Sequence, residues 1–489
     1  MENEINKSDW LFWLSCLVLG IIAEEAFFRG EIGISNILFL FAFYSVFFWK
    51  FKRYPFTNQR LGYLVISCIW LLGASFFISD NKFFYVLNIL AVPFLVMFHL
   101  LLITGPKCLK WNKPRFLVYI FVMIIDAIKY IFSFVGISGK SLKQGMNESR
   151  FLIWKKVMIG IVISIPVLFV VLNLLMAADS QFERIIGGLP IWAKNINPEF
   201  ILRFIAILMY SLVFFGFMQV LFNKYILVAN SEMEKTRFQL DGIIMLTVLV
   251  LLNVVYIMFT IVQFKYFFSG TLQGDYTYAQ YARRGFFELL FATLINLTVT
   301  VVTVTFVNQV THLLKRFSQI MLTILLLASG VMLTSAFLRL LMYEEAYGFT
   351  FTRVLVHSFM IFLVIIFAYT LIKIWLERVS LFHFYFITSL IFYTGVNILD
   401  LDRVVVNQNI SRYEQTGKID LQYLNHLSNT GLLGLIDLYE KDPHVEGLKN
   451  ILLERKKEAL TENHPWQSFN LTRQQANKDL KNLHLSKSE

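Results

Sequence analysis

Basic, aromatic and acidic side chains collect around residues 339–353, where one apolar stretch ends and the next begins. Arg339, Tyr343 and Tyr347 follow one another at intervals of four, which places all three on one face of a helix. Gly348 then breaks the helix, and Thr350 can cap the next one. A guanidinium beside two phenol rings suits an anionic or polyhydroxylated ligand. The alternative is structural: an arginine that reaches to a membrane surface and tyrosines that form an aromatic belt there.

Other polar groups stand at the ends of neighbouring apolar stretches, where ionisable residues are costly and therefore candidates for function. The candidate ligand-binding residues are Arg339, Tyr343, Tyr347, Arg353, Tyr281, Arg284, Glu288, Asn397 and Asp402. Glu288 can pair with Arg284 or, across a bundle, with Arg339. We interpret such a pair as a device that fixes helix register, with a proton relay as the alternative.

The familiar catalytic and metal-binding patterns are absent from the sequence. There is no P-loop, GxSxG, HExxH or GxGxxG motif, so the nucleotide-dependent and hydrolase classes have no support. Three cysteines lie far apart and eight histidines are scattered, which predicts no metal site and no disulfide. We therefore expect no cofactor and no catalytic residue, and the interpretation leans away from an enzyme.

The elements that carry these residues are apolar segments of about twenty residues, enough for a helix to cross a bilayer core of roughly 30 Å. Hydrophobic residues make up 57% of the 489-residue chain, with 50 Phe and only 16% charged residues. The backbone can satisfy its hydrogen bonds in lipid as a helix, and the alternation of a barrel is absent. The sequence predicts an all-α polytopic membrane bundle of about eleven spans. These are 10–28, 34–49, 61–79, 83–104, 157–176, 200–222, 241–263, 286–308, 318–341, 353–375 and 382–399.

Positive charge predicts the orientation. Residues 1–156 hold 17 Lys and Arg against 9 Asp and Glu, and the excess lies in the loops 50–60 and 105–115. Basic loops are retained in the cytoplasm, which places the N-terminus there as well. Nucleic-acid binding is not expected, because these charges are spread over loops and do not form a basic groove. Residues 116–136 are apolar but precede more basic residues, so we favour a helix lying at the inner surface over a span with a polar face.

Four regions follow from this pattern. Residues 1–104 form an N-terminal four-span region, 105–156 a basic cytoplasmic loop with an interfacial or re-entrant helix, 157–400 a seven-span core and 401–489 a soluble helical domain. In the last region Asp420 can cap a short helix, Pro443 can open another, and Pro465 precedes a final one. With eleven spans and a cytoplasmic N-terminus, this tail emerges outside.

Two alternative functions have weaker sequence support. A secondary transporter is expected to contain spans interrupted near the midplane, and Pro93 and Pro166 are the mid-span prolines. A membrane glycosyltransferase of the GT-C type has a comparable number of spans and an acidic base in the first outer loop. Glu24 and Glu25 are the only residues that match it, and we favour solvation at the interface as their explanation.

Several stretches resemble one known family. These are YAQYARRGFFELL (278–290), LRLLMYEEAYGFTFTR (338–353) and NILDLDRVVVNQNISRYEQTGKIDLQYLNHLS (397–428), and more faintly LLMAADSQF (174–182) and WQSFNLTRQQA (466–476). They resemble the DUF4173 family, within the broader DUF4153-like bacterial membrane proteins, over roughly residues 157–476. Val405 and Val406 depart slightly from the expected pattern, where a small residue stands beside an Ile. The resemblance implies a bacterial membrane architecture and assigns no activity.

The sequence thus predicts a multi-pass protein of the bacterial plasma membrane with a polar site at its outer face. We expect it to bind a ligand there or to act as a sensor or membrane-protein partner. Membrane lipids, a further membrane protein and an outer-face ligand are the expected partners.

Overall fold

The structure is a computed structural model, and it describes most of the chain. The described residues are 7–106, 109–141, 198–223, 240–268, 286–308, 311–376, 378–462 and 464–484, with four isolated positions between 157 and 171. Predictions that fall between these ranges, including the span 157–176 and its Pro166, lie outside the described residues.

Helices dominate every described range. They are α1 (Lys7–Phe28), α2 (Ile34–Lys50), α3 (Gln59–Ile78), α4 (Lys82–Thr104), α5 (Pro114–Ser141), α6 (Pro198–Asn223), α7 (Gly242–Phe268), α8 (Phe286–Phe306), α9 (His312–Tyr347), α10 (Phe351–Trp375), α11 (Leu381–Ile398), α12 (Leu401–Thr416), α13 (Leu421–His426), α14 (Asn429–Lys441), α15 (Leu448–Thr461) and α16 (Leu471–Asn482). A 3₁₀ turn covers Trp466–Ser468, and two two-residue strands, β1 (Leu240–Asp241) and β2 (Val307–Asn308), pair in parallel.

Nine of the described helices are long and apolar enough to cross a membrane: α1, α3, α4 and α6 to α11. Helix α2 coincides with a predicted span, but its 17 residues make it shorter than these nine. The predicted all-α polytopic membrane fold is therefore confirmed. Helix α9 extends past both ends of the predicted span 318–341, and its extra turns carry Tyr343 and Tyr347.

The chain divides into two compact units. The first contains residues 1–59, 100–230 and 465–468. Its described helices pack as α1 on α2 and α6, and α5 on α6. Gly20 lets α1 and α6 approach closely, because a Cβ there would lie 2.5 Å from the Ile207 carbonyl oxygen.

Helix α5 contains residues 116–136, the segment for which we considered both a surface-lying helix and a membrane span. It is one continuous helix of 28 residues that packs against α6, with the Phe134 ring 4.6 Å from the Phe215 ring, centroid to centroid. Gly216 of α6 lies so close to the Ile131 side chain of α5 that a Cβ at this position would overlap it, which supports the same contact between the two helices. The surface-lying orientation remains a prediction.

The second unit contains residues 60–99, 231–464 and 469–489. Helices α7 to α10 share one apolar core, whose most buried members include Leu249, Leu325, Ala336 and Met360. Neutral polar contacts cross it: Asn296 Nδ2 donates to Ser329 Oγ at 2.9 Å, and Asn253 Nδ2 donates to the Met321 carbonyl at 2.9 Å. Such bonds hold apolar helices together where water cannot compete.

Helices α12 to α16 form a compact tail with a core of its own, which includes Leu424, Leu435, Leu452 and Leu480. We call residues 401–464 and 469–484 the tail domain. Asp420 caps α13, as predicted, by accepting the Tyr423 amide at 2.9 Å. The prediction that Pro443 opens a helix is wrong. Residues 443–447 form turns and α15 begins at Leu448, because Gly447 at φ +80° ends the irregular segment.

The start of α16 is fixed to the end of α3 within this unit. Asn470 Nδ2 donates to the Phe76 carbonyl at 3.1 Å, and the Thr472 hydroxyl donates to the Ile78 carbonyl at 2.6 Å. These two bonds satisfy carbonyls at a helix C-terminus, where no intrahelical partner exists. The tail domain is thereby joined to an apolar helix by side-chain bonds to its backbone.

Candidate functional site

The loop between α9 and α10, residues 348–350, lies at the centre of the candidate site. Helix α9 ends because Gly348 adopts φ +84° and ψ 176°, a conformation that is essentially restricted to glycine. Helix α10 begins after Thr350, as predicted, although the Thr350 side chain makes no capping hydrogen bond. Both helices therefore present their termini to the same short loop.

Two aromatic rings and one guanidinium lie beside this loop. The Arg353 guanidinium carbon is 4.0 Å from the centroid of the Tyr343 ring, and the Tyr343 and Tyr347 ring centroids are 5.0 Å apart. The Tyr347 side chain is 57% exposed. Arg353 also donates from Nη1 to the Gly348 carbonyl, so one nitrogen of its guanidinium is bonded to the loop. We call Tyr343, Tyr347 and Arg353 the aromatic platform.

Buried ionisable groups lie next to the platform on the same two helices. Glu344 is 1% exposed, and one of its oxygens lies 3.4 Å from His357 Nδ1. Arg339 is 7% exposed, so its side chain is enclosed by protein and does not extend into solvent. His357 was not among the candidates identified from the sequence, although its position four residues after Arg353 places both on one face of α10.

The tail domain holds the loop through three side chains. Asn409 Nδ2 donates to the Phe349 carbonyl at 2.8 Å, and Asn409 Oδ1 accepts the Phe349 amide at 3.1 Å. The Tyr423 hydroxyl accepts the Phe351 amide at 2.8 Å. Arg412 donates to the Ala346 and Glu345 carbonyls at 3.0 and 3.3 Å, at the end of α9.

We call Asn409, Arg412 and Tyr423 the tail clamp. A cation on the last carbonyls of a helix complements the negative end of the helix dipole. Burial raises the pKa of Tyr423 above its ordinary value, and the hydrogen bond from the Phe351 amide acts in the opposite direction by lowering that pKa. All three clamp residues lie within the stretch 397–428 that carried the family resemblance, but none of them was singled out from the sequence.

The remaining predicted site residues lie elsewhere. Glu288 is exposed near the start of α8. Asn397 is buried among polar groups of α3, α4 and α11: its Oδ1 accepts from Asn88 Nδ2 at 2.7 Å. Asp402 is buried at the start of α12, where it accepts from Asn81 Nδ2 at 2.9 Å. Tyr281 and Arg284 lie outside the described residues. The structure therefore brings together Tyr343, Tyr347 and Arg353.

Three carboxylates of the second unit lie close to one another at the turn between α3 and α4. Asp402 is the most buried of them. Burial raises the pKa of Asp402, and the nearby charges of Asp400 and Asp80 raise it further. Within the described residues there is no group of three or more His, Cys, Asp and Glu side chains placed to hold a metal ion.

Glu24 and Glu25, the residues that suggested a glycosyltransferase, are both engaged in the first unit. Glu24 is 3% exposed, and its carboxylate lies 3.4 Å from Arg203 Nε. Glu25 lies 2.8 Å from Arg29 Nε and accepts from Gln467 Nε2 at 2.7 Å. Both carboxylates are therefore paired with arginine near the end of α1.

The long apolar helices, the buried amide contacts between them and the small helical tail define a polytopic all-α membrane protein. Its family follows from comparison with known proteins. The chain belongs to the family described as Domain of unknown function (DUF4153), whose model matches residues 66–438. No curated protein and no solved structure matches the chain. The matched region contains the aromatic platform and the tail clamp.

Proposed function

We propose that this protein binds an anionic or polyhydroxylated ligand on the aromatic platform and transmits occupancy of the platform to the tail domain. It acts as a sensor or partner protein and not as a catalyst. In this proposal the chain is of the DUF4173 type and lies in a bacterial plasma membrane. Its N-terminus is cytoplasmic, and the platform and tail domain face outward.

The observation that carries the proposal is the Arg353 guanidinium 4.0 Å from the Tyr343 ring, beside the exposed ring of Tyr347. A guanidinium has five donors in a planar fork. Among the described residues, the hydrogen bond that Arg353 makes is the one to the Gly348 carbonyl. The rest of the fork is thus available for paired bonds to a phosphate or to vicinal hydroxyls, with an aromatic wall alongside.

The route from platform to tail is short. Arg353 bonds Gly348, and the next residue, Phe349, is bonded on both its amide and its carbonyl by Asn409 of the tail domain. A ligand that moves the Arg353 guanidinium changes a contact one residue away from the tail clamp. Coupling of this kind requires that the ligand bind the two loop arrangements with different affinity.

Phosphatidylglycerol is a suitable probe, because its headgroup carries both a phosphate and hydroxyls. Full-length protein in detergent is titrated with short-chain phosphatidylglycerol or phosphatidylcholine, and bound lipid is counted by native mass spectrometry. We expect preferential retention of phosphatidylglycerol, weakened about tenfold in Arg353→Lys and in Tyr347→Leu, since one charge-assisted bond contributes about 1.5 to 3 kcal/mol.

The matched control is Tyr63→Leu, which removes a tyrosine that is 69% exposed on α3. It should bind the lipid as the wild type does. Equal retention of both lipids by all four proteins, or an equal loss in Tyr63→Leu, would refute the platform as the binding site.

The transporter alternative gains support from one observation. Ser75, Asn88, Tyr393 and Asn397 form a polar network among α3, α4 and α11: Asn88 Nδ2 donates to Ser75 Oγ at 2.9 Å, and the Tyr393 hydroxyl donates to Asn88 Oδ1 at 2.6 Å. Pro93 lies inside α4 one turn further on. Proton flux into proteoliposomes with a trapped pH dye tests it. Flux that Asn88→Leu abolishes would favour transport, and absence of flux in the wild type would count against it.

A further inference from the structure

Basic side chains collect at the end of the second unit that lies opposite the aromatic platform, where α9 and α11 begin and α10 ends. The Lys and Arg residues of this end, which we call the basic end, are Lys315, Arg316, Lys373 and Arg378. Along a straight α9, Arg316 lies about 40 Å from Tyr343, which exceeds a bilayer core of roughly 30 Å. The basic end is therefore a separate feature from the ligand site proposed above.

Three contacts hold the start of α9 against the end of α10. Gln319 Nε2 donates to the Ile374 carbonyl at 2.8 Å. Trp375 Nε1 donates to the Thr323 hydroxyl at 3.2 Å, and the Arg316 guanidinium carbon lies 5.4 Å from the centroid of the Trp375 ring. Each residue of the basic end takes part in one of these contacts or lies no more than three residues along the chain from one. The basic residues of both helices therefore lie at one level of the bundle.

Positive charge is in excess in these segments. Glu377 is the only acidic residue of the sequence in 309–323 and 371–383, which together contain all four Lys and Arg of the basic end. Asp241 reaches the same end of the unit, because β1 pairs with β2 just before α9. Its Oδ1 accepts the first two amides of α7 that it can reach, those of Ile243 and Ile244, at 2.8 and 3.1 Å. The cations thus outnumber the carboxylates, and this end is complementary to an anion.

Exposed aromatic side chains flank the charges. Trp375 is 43% exposed, Phe317 47% and Phe382 50%. Tryptophan together with Lys and Arg is typical of helix ends at the border between the hydrocarbon core and the headgroup layer. Among the described residues, the contact that Arg316 makes is the one with the Trp375 ring, so its N–H donors are available to an oxyanion.

We propose that the basic end binds the headgroup of an anionic phospholipid, with Arg316 and Arg378 bonding its phosphate and Trp375 packing against its glycerol and upper acyl chain. Basic groups between membrane helices attract such headgroups through their charge. The occupant is a lipid and not a soluble anion, because the exposed rings beside the charges match acyl chains. The bound lipid bridges the start of α9 and the end of α10. This site does not depend on the proposed function of the platform, which lies at the other end of the same helices.

The test uses full-length Tyr347→Leu protein in detergent, so that the platform contributes little to lipid binding. Short-chain phosphatidylglycerol or phosphatidylcholine is titrated in, and bound lipid is counted by native mass spectrometry. We expect this protein to retain phosphatidylglycerol in preference to phosphatidylcholine, and added NaCl to weaken the binding. Addition of Arg316→Gln or of Arg378→Gln should each weaken it about fivefold, the loss expected for one basic residue at an anionic headgroup.

Lys82→Gln in the same background is the matched control, because it removes an exposed lysine from the start of another apolar helix, α4. It should leave lipid binding unchanged. Arg378→Gln keeps the test decisive if Arg316→Gln fails to fold, because Arg378 is exposed in the turn after α10. Equal retention of the two lipids, unchanged affinity in both arginine variants, or an equal loss in Lys82→Gln would overturn the proposal. Displacement of the lipid by inorganic phosphate alone would assign the basic end to a soluble anion and overturn the lipid as its occupant.

Discussion

Replacement of Asn409 by alanine is the most direct test of how the tail domain holds the loop. Asn409 is 8% exposed, and its amide bonds both the N–H and the C=O of Phe349, at 3.1 and 2.8 Å. A third bond, to the Val405 carbonyl at 2.9 Å, fixes the side chain on α12. The alanine variant leaves the Phe349 backbone groups without their partners.

The expected cost follows from these contacts. A fully buried backbone group that loses its partner costs about 1 to 3 kcal/mol. Phe349 is only partly buried, so the lower half of this range applies to each of its two groups. We expect Asn409→Ala to destabilise the closed loop by about 2 to 4 kcal/mol, which corresponds to a factor of about 30 to 700 in the opening equilibrium.

Hydrogen exchange measured by mass spectrometry reports this equilibrium at the Phe349 amide. The peptide that covers the loop should exchange faster by the factor given above, while peptides from α7 and α8 keep their wild-type rates. Asn407→Ala is the matched control, because Asn407 is exposed two residues away on the same helix. Wild-type exchange in Asn409→Ala, or equal acceleration by Asn407→Ala, would show that the clamp does not hold the loop.

Three further substitutions test the backbone geometry, each by thermal unfolding of the purified protein. Gly348→Ala should lower the free energy of unfolding by about 3 kcal/mol, because φ +84° with ψ 176° disfavours any side chain and the new Cβ would lie 2.8 Å from Asn409 Oδ1. Gly417→Ala, which has open space at φ +67°, should lower it by only about 1 kcal/mol. Equal losses in the two variants would contradict this explanation. Tyr423→Phe should lower stability by about 1 kcal/mol through loss of the acceptor for the first amide of α10, and an unchanged unfolding temperature would mean that water replaces it. Gly20→Ala should be strongly destabilising, because its Cβ would lie 2.5 Å from the Ile207 carbonyl oxygen of α6. Gly330→Ala, with open space beside α9, should be neutral or stabilising. A greater loss of stability in Gly330→Ala than in Gly20→Ala would argue against close packing of α1 on α6.

The sequence predicted well those features that depend on neighbouring residues. Segment length and hydropathy located the spanning helices, because the bilayer imposes both. The glycine that ends α9 and the aspartate that caps α13 were recognised for the same reason, since capping is a local interaction. The i, i+4 spacing of Tyr343 and Tyr347 likewise predicted rings on one face, and their centroids are 5.0 Å apart.

The contacts that define the site could not be predicted in this way. Asn409 bonds a residue 60 positions earlier, Asn81 bonds one 321 positions later, and Gln467 bonds Glu25 across 442 positions. Neutral amides carry no charge pattern or periodicity that would reveal such partners. Polar residues at helix ends attracted attention instead, and the structure separates two of them: Asn397 lies in the network with Asn88, and Asp402 lies beside Asn81.

The loop 348–350 allows a structural role of these residues to be separated from a ligand-binding one. Asn409 contacts the loop backbone and lies among the tail residues, so Asn409→Ala should open the loop and weaken ligand binding together. Tyr347 is exposed on the platform, so Tyr347→Leu should weaken ligand binding while the exchange rate of the loop stays at its wild-type value. If a ligand is sensed through the loop, its addition should slow exchange at Phe349 in the wild type and have no such effect in Tyr347→Leu. Slowing in both proteins would place the ligand elsewhere, and slowing in neither would mean that platform and clamp are neighbours without being coupled.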